Sequence, residues 1–185
     1  MLKRVFDVVV SVLIIMLTLP IWLTVSACIF LGDRGPVFYR QQRVGLGGRL
    51  FGIYKFRTMV PDADKIGGYS TAYGDPRITR VGAFLRRYSL DELPQLLNVV
   101  IGDMSLVGPR PDVPMQRSLY TDEEYAKRIS VRPGITGLAQ ATARSRATPE
   151  ERKRLDLEYV DKSGFLFDLR VILMTVRQVV AVGGN

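Results

Sequence analysis

From Val8 to Leu31 the chain carries no charged residue, and no other feature restricts its folding as strongly. As one straight helix such a run measures roughly 36 Å, enough to cross a hydrocarbon core of about 30 Å. Pro20 sits near its middle. A proline there removes a backbone hydrogen bond and crowds the preceding turn, so a kink or break is expected. Each half is then about 18 Å long, too short to span but long enough to enter one leaflet. Thr18 is placed to help cap carbonyls freed at the break. Lys3 and Arg4 flank the run on one side, and Arg34, Arg40, Arg43 and Arg49 follow it on the other. The positive-inside tendency draws both flanks to the cytoplasm, which a re-entrant hairpin satisfies. A kinked spanning helix is the alternative.

A cleaved signal is a third reading. Val25-Ser26-Ala27-Cys28 has the look of a lipid-attachment box behind a basic start and an apolar core. Against it, Ile29, Phe30 and Leu31 continue the run past the cysteine, and Cys28 reads more simply as a small apolar residue in a membrane helix.

The remaining chain is polar and rich in arginine. Net charge is +8, which draws a protein to nucleic acid, anionic lipid heads or phosphorylated substrates; the apolar run favours the last two. A nucleic-acid binder would need base-reading or stacking groups on its basic patch, whereas these arginines begin beside the membrane segment. There is no histidine, which excludes imidazole acid–base chemistry and histidine-ligated metals. The single cysteine lies inside the apolar run, so an intrachain disulfide is impossible and a solvent-facing thiolate nucleophile is not expected. Catalysis falls to Asp, Glu, Lys, Arg, Tyr, Ser or Thr, with or without a hard metal.

Past the turn at Gly32 to Pro36, Val37–Tyr39 and Leu50–Phe56 bracket Val44-Gly45-Leu46-Gly47-Gly48 and predict a hairpin. Pro61 to Pro76 reads as a surface loop. Ile78, Val81, Phe84 and Leu85 recur at helical spacing, and a second short helix carries Leu93, Leu96, Leu97 and Val100, closed by Gly102-Asp103. Met104–Val107 reads as a short strand. Thr121 to Glu124 and Thr148 to Glu151 fit capping boxes, the latter with a proline at the first helical position. Arg132 to Gly137 between them reads as a turn. The last helix runs from about Leu166 to Val182 and is apolar over more than one face, so it is either core or lying flat in a lipid interface.

The stretch with most chemical potential is Arg86-Arg87-Tyr88-Ser89-Leu90-Asp91-Glu92-Leu93-Pro94. Two carboxylates at a helix start beside two arginines are favoured in the ionised form. An ionised Asp can attack phosphorus, and a neighbouring Glu can hold magnesium against a diphosphate. The same residues also fit a plain capping box of Ser89 with Glu92, although Pro94 suits a helix that begins at the proline itself. Arg110, fixed between Pro109 and Pro111, is suited to holding one guanidinium toward phosphate or carboxylate; an ordinary rigid turn explains it as well. Lys55 and Arg57 share one strand face and either grip a diphosphate or cover a sheet edge.

Taken in order, Lys3 to Asp7, Tyr54 to Met59, Ser89 to Leu96, Gly102 to Pro111 and Arg132 to Gly137 resemble five collinear motifs of the monotopic polyprenyl-phosphate phosphoglycosyl transferases, bacterial sugar transferases of glycoconjugate and exopolysaccharide synthesis. The resemblance implies an α+β, mainly helical fold: a re-entrant, proline-broken membrane helix over residues 1–31 and a cytoplasmic-face catalytic domain with interfacial amphipathic helices over 32–185, the minimal catalytic form. It implies Asp91 as nucleophile, forming a covalent phosphosugar intermediate, and Glu92 as its partner and a magnesium ligand, with Asp91 also near the metal. Lys55 and Arg86 are implied as phosphate contacts, Pro109-Arg110-Pro111 as an element near the nucleotide, and Arg144 as a contact near the base. Pro20 is the helix-breaking position. The implied donor is a UDP-sugar and the acceptor a polyprenol phosphate, on the cytoplasmic face of a bacterial inner membrane rich in anionic lipid. The rival from another class is a non-catalytic basic scaffold on the membrane surface.

Overall fold

The computed structural model describes residues 1–67, 74–142 and 148–182. The chain is a mainly helical α+β protein with one long apolar N-terminal helix, as expected. Helix α1, Leu2–Asp33, is about 48 Å long. It runs through Pro20 without interruption, so the break expected there is absent. Pro20 cannot donate to the carbonyl of Met16. Thr18 does not cap that carbonyl as expected. Its hydroxyl bonds the Ile14 carbonyl at 2.7 Å and accepts from Trp22 Nε1 at 3.1 Å. Such back-bonding tends to bend a helix locally.

Both halves of α1 dock on the rest of the chain. Asp7 is buried and accepts from the Ser105 hydroxyl at 2.8 Å, while Arg4 donates to the Val99 and Val100 carbonyls at 2.5 and 3.0 Å. Lys3 pairs with buried Asp168, which also accepts from the Tyr159 hydroxyl at 2.7 Å. In the C-terminal half Trp22, Val25 and Ile29 pack on Phe56 and Leu85, and Asp33 receives the Arg57 guanidinium. Arg57 is thereby committed to the helix end, not to a phosphate. Between these anchors Leu13, Met16, Leu17 and Leu23 stay exposed.

Strand β1, Phe38–Val44, pairs antiparallel with β2, Leu50–Phe56, from Phe38 opposite Phe56 to Val44 opposite Leu50. This is the expected hairpin with a longer first strand. Gly47 and Gly48 take positive φ in its turn, where L side chains are disfavoured. After α2, Ala63–Ile66, and α3, Arg80–Arg87, α4 spans Gln95–Ile101 and ends at Gly102 with φ 111°. Asn98, fully buried on α4, clamps β2: its Oδ1 accepts from Tyr54 N at 2.9 Å and its Nδ2 donates to the Gly52 carbonyl at 2.9 Å.

Strand β3, Ser105–Val107, pairs in parallel with β4, Gly134–Thr136. The reading of Arg132 to Gly137 as a turn is therefore corrected. The two backbones approach so closely that a Cβ on Gly134 would lie 2.1 Å from Gly108 N. Helices α5 (Asp122–Arg128), α6 (Leu138–Thr142), α7 (Pro149–Lys162) and α8 (Phe165–Val182) complete the described fold. The Thr121 box is reciprocal: Glu124 N donates to Thr121 Oγ1 and Thr121 N to Glu124 Oε2. Val99, Met104, Val107 and Val171 are essentially inaccessible at the core, each such side chain contributing about 1.5–3 kcal/mol. Helix α8 packs into the core through Val171 and leaves Leu166, Leu173 and Val176 exposed.

Candidate active site

The site is built on the connection between α3 and α4. Thr79 caps α3, accepting from Gly82 N at 2.9 Å. Gly82 rests on the backbone of Thr58, where a Cβ would come within 1.9 Å of the Thr58 carbonyl oxygen; any side chain there would push α3 off the end of the hairpin. Held this way, Arg86 Nε donates to Thr58 Oγ1 at 2.9 Å. The chain then reverses at Ser89, whose φ of 55° is costly for a residue other than glycine. A single 3-10 turn, Leu90–Glu92, follows, and Pro94 caps α4. Ser89 makes no capping bond, so the capping-box reading of Ser89 and Glu92 is set aside. The strained reversal turns both carboxylates inward.

Glu92 is gripped from two sides. Lys55 Nζ and Arg110 Nη2 each lie 2.7 Å from Oε1, and Arg110 Nη1 is 3.5 Å from Oε2. Burial opposes its charge, but the two cations prevail and hold the carboxyl far below the usual range. Asp91 is more buried. Lys55 Nζ stands 3.9 Å from its Oδ2, a charge contact rather than a hydrogen bond. Burial raises the Asp91 carboxyl above its ordinary value, helped by the Glu92 charge and opposed by Lys55 and Arg86.

The Pro109-Arg110-Pro111 segment is tethered throughout. Both prolines are buried. Gly134 N donates to the Pro109 carbonyl at 2.9 Å, Arg128 Nη2 to the Arg110 carbonyl at 2.7 Å, and Arg43 Nη1 to the Pro111 carbonyl at 3.1 Å. Arg128 also holds Asp112 through Nε at 2.8 Å and Nη2 at 2.9 Å. The Arg110 guanidinium thus projects from a fixed loop onto Glu92.

Of the residues singled out in the sequence, Lys55, Asp91, Glu92 and Arg110 form one cluster, with Arg86 beside it. Arg144 lies outside the described residues. Pro20 is an exposed position of α1 and lines neither cleft at the cluster. Sequence reasoning missed Thr58, which anchors Arg86, and Arg43, Arg128 and Asp112, which fix the Arg110 loop. Arg43 and Arg128 looked like ordinary basic residues, and only their distance partners give them a role.

Two clefts meet at the cluster. One, about 940 Å³ and the more polar of the two, includes Tyr39, Arg43, Lys55, Thr58 and Asp91. The other, about 760 Å³, runs between α1 and α8 over Ile14, Leu96, Leu106 and Ile172. Arg86, Ser89, Glu92 and Arg110 line both. Among the described residues no three acidic or thiol groups gather as a metal cage. The Asp91–Glu92 pair suits a magnesium ion that takes one or two carboxylates and fills its shell with phosphate and water.

Comparison with known proteins identifies the family. A family model described as bacterial sugar transferase matches residues 1–182. The chain is 43% identical over 183 residues to the uncharacterized sugar transferase EpsL of Bacillus subtilis (strain 168), covering 99% of this chain and 89% of that protein. It is 44% identical over 181 residues to the UDP-glucose:undecaprenyl-phosphate glucose-1-phosphate transferase of Caulobacter vibrioides, covering 94% and 68% respectively. With the enzyme of the same description from Escherichia coli (strain K12) identity is 41% over 184 residues, 95% of this chain but only 39% of that longer protein. With a carboxylate pair ringed by cations at the meeting of a polar and an apolar cleft, and with the match running from end to end, the chain is an enzyme of the bacterial sugar transferase family.

Proposed function

We propose that this enzyme transfers a phosphosugar from a UDP-sugar to a polyprenol phosphate, releasing UMP, through a covalent intermediate on Asp91, and so initiates glycoconjugate or exopolysaccharide synthesis. The observation that carries the reading is the Asp91–Glu92 pair held among Lys55, Arg86 and Arg110 at the junction of the two clefts. A carboxylate surrounded by cations suits a reaction at a diphosphate, whose charge the cations offset. The donor and acceptor classes are those named for the Caulobacter and Escherichia relatives.

In this mechanism an Asp91 oxygen attacks the sugar-proximal phosphorus. The bond from that phosphorus to the bridging oxygen breaks, and UMP leaves with the electron pair. An oxygen of the lipid phosphate then attacks the same phosphorus and expels Asp91 as carboxylate. Lys55, Arg86 and Arg110 hold the phosphate oxygens in line. Magnesium, held by Asp91 and Glu92 with diphosphate oxygens, would supply charge neutralisation for the departing phosphate. A panel of UDP-sugars beginning with UDP-glucose, assayed with polyprenol phosphate for UMP release and lipid-linked product, tests the reading; a membrane scaffold would bind anionic vesicles and release no UMP. Exhaustive EDTA treatment is expected to abolish transfer and added magnesium to restore it. Full activity after chelation would rule the metal out.

The same reading makes the protein monotopic, with α1 bent near Pro20, immersed in one leaflet and both its ends at the cytoplasmic face of the inner membrane. Lys3 and Arg4 at one end and Asp33 at the other all bond the same polar fold, and a single catalytic domain cannot stand on both sides of a bilayer. In a Cys28→Ser background, single cysteines at Lys3 and at Asp33 are both expected to resist impermeant labelling from outside intact cells. Labelling of one alone would mean a spanning helix.

A further inference from the structure

We infer that the apolar cleft between α1 and α8 is the seat of the acceptor's isoprenoid chain, and that this chain enters the reaction site from the side opposite the nucleotide. The inference rests on the transfer reading above and adds to it a location. The cleft walls are Val10 and Ile14 of α1, Leu96 of α4, Leu106 of β3, and Ile172 and Val176 of α8. Most of the lining surface is apolar and suits hydrocarbon, with Thr136, Gln140, Thr175 and Gln178 as scattered polar members. Arg86, Arg110 and Glu92 mark the end that it shares with the polar cleft, and Arg87, Arg152 and Asp156 line it as well.

An apolar trough ending in arginines is complementary to one molecule type on this reaction path, a long hydrocarbon that ends in a phosphate monoester. At that inner end it joins the polar cleft through Arg86, Ser89, Glu92 and Arg110, so a phosphate there faces the Asp91 turn. The two flanking helices also expose apolar side chains beside the lining positions, Leu13 on α1 and Leu173 on α8, so the trough is continuous with an apolar outer surface. A lipid can slide in from a bilayer without its chain passing through water. Separate entrances also explain how a soluble donor and an insoluble acceptor reach one phosphorus in turn.

The test is to fill the trough. Val176→Trp places a large ring at its wall, whereas Leu173→Trp places the same ring on the same helix outside it. In the full-length enzyme in nanodiscs, Val176→Trp is expected to raise KM for undecaprenyl phosphate about tenfold, as overfilling an apolar site does. Its donor-only UMP burst should match that of the parent enzyme, and Leu173→Trp should leave KM and turnover unchanged. A diazirine-bearing polyprenyl phosphate should crosslink to the α1 and α8 peptides that line the trough. Equal effects of both tryptophans, or crosslinks confined to the outer face around Leu166 and Leu173, would overturn the inference and leave the trough to bulk lipid. Failure of the parent enzyme to release UMP even with polyprenol phosphate present would instead reject the transfer reading itself, so the two failures are distinguishable.

Discussion

Asp91→Asn is expected to abolish turnover, a loss of several orders of magnitude as for other covalent nucleophiles. Asn keeps the shape and the buried position next to Lys55 but has no anionic oxygen to attack phosphorus. The direct measurement is intact-protein mass spectrometry after exposure to donor without acceptor. The parent enzyme should gain the mass of one phosphosugar on the peptide containing Asp91, and the variant should gain none. Glu92→Gln should impair transfer less, with partial rescue by added magnesium. If no adduct forms and the kinetics require both substrates bound together, transfer is direct and Asp91 is a metal ligand or general base.

The pH dependence of the donor burst follows from the same carboxyl. Burial raises the Asp91 pKa, and the adjacent Glu92 charge adds to it. The protonated acid cannot attack, so the burst is lost as pH falls through that raised pKa. The acid limb is therefore expected above the ordinary Asp value of about 3.9. A limb at or below that value would show that Lys55 and Arg86 outweigh burial in the working enzyme. Glu92 does not supply this limb, since its two cationic partners keep it ionised well into acid.

Much of the helical framework was legible because its signals are local. The Thr121 and Thr148 caps, the hairpin between Phe38 and Phe56, and the stop at Gly102 each depend on a few neighbouring residues. The Asp91–Glu92 pair was legible as two adjacent acids, but its setting was not. Whether Ser89 caps a helix or reverses the chain depends on α3 resting upon Thr58, a contact between residues far apart in sequence. The strand Gly134–Thr136 was unreadable for a similar reason: three residues show no alternation, and their pairing with β3 needs the close approach at Gly108. Pro20 was legible only in part: a proline predicts a kink or a break on local grounds, and packing on both sides keeps α1 helical through it, so there is no break. Arg128 carried no local signal at all, since its partners are Asp112 and Asp156 on different segments.

Arg128→Met is expected to cost about 3–5 kcal/mol, as removal of one member of a buried ion pair does, and so to lower the melting temperature of the solubilised enzyme by roughly 10 °C. It would leave Asp112 and the inaccessible Asp156 without their shared cation, and the Arg110 carbonyl without its donor. The opposite sign is expected for Asp156→Asn. Asp156 Oδ2 lies 3.2 Å from Arg128, but Arg128 is already bound by Asp112, and neither Asp156 oxygen has a hydrogen-bond partner among the described residues. Burial, aided by the Asp112 charge and opposed by Arg128, raises its pKa to about 6. The unfolded value is near 3.9, so the native state binds this proton more tightly than the unfolded chain. Ionised Asp156 therefore lowers stability, by an amount that is absent below about pH 4 and complete above about pH 6, of the order of 3 kcal/mol. Asp156→Asn should then stabilise the protein at pH 7.5 and have little effect near pH 4, read by thermal melts at the two values. Destabilisation at pH 7.5 would mean that the Arg128–Asp156 attraction exceeds the desolvation it requires, and that Arg128 needs both acids to hold the Arg110 loop against Glu92.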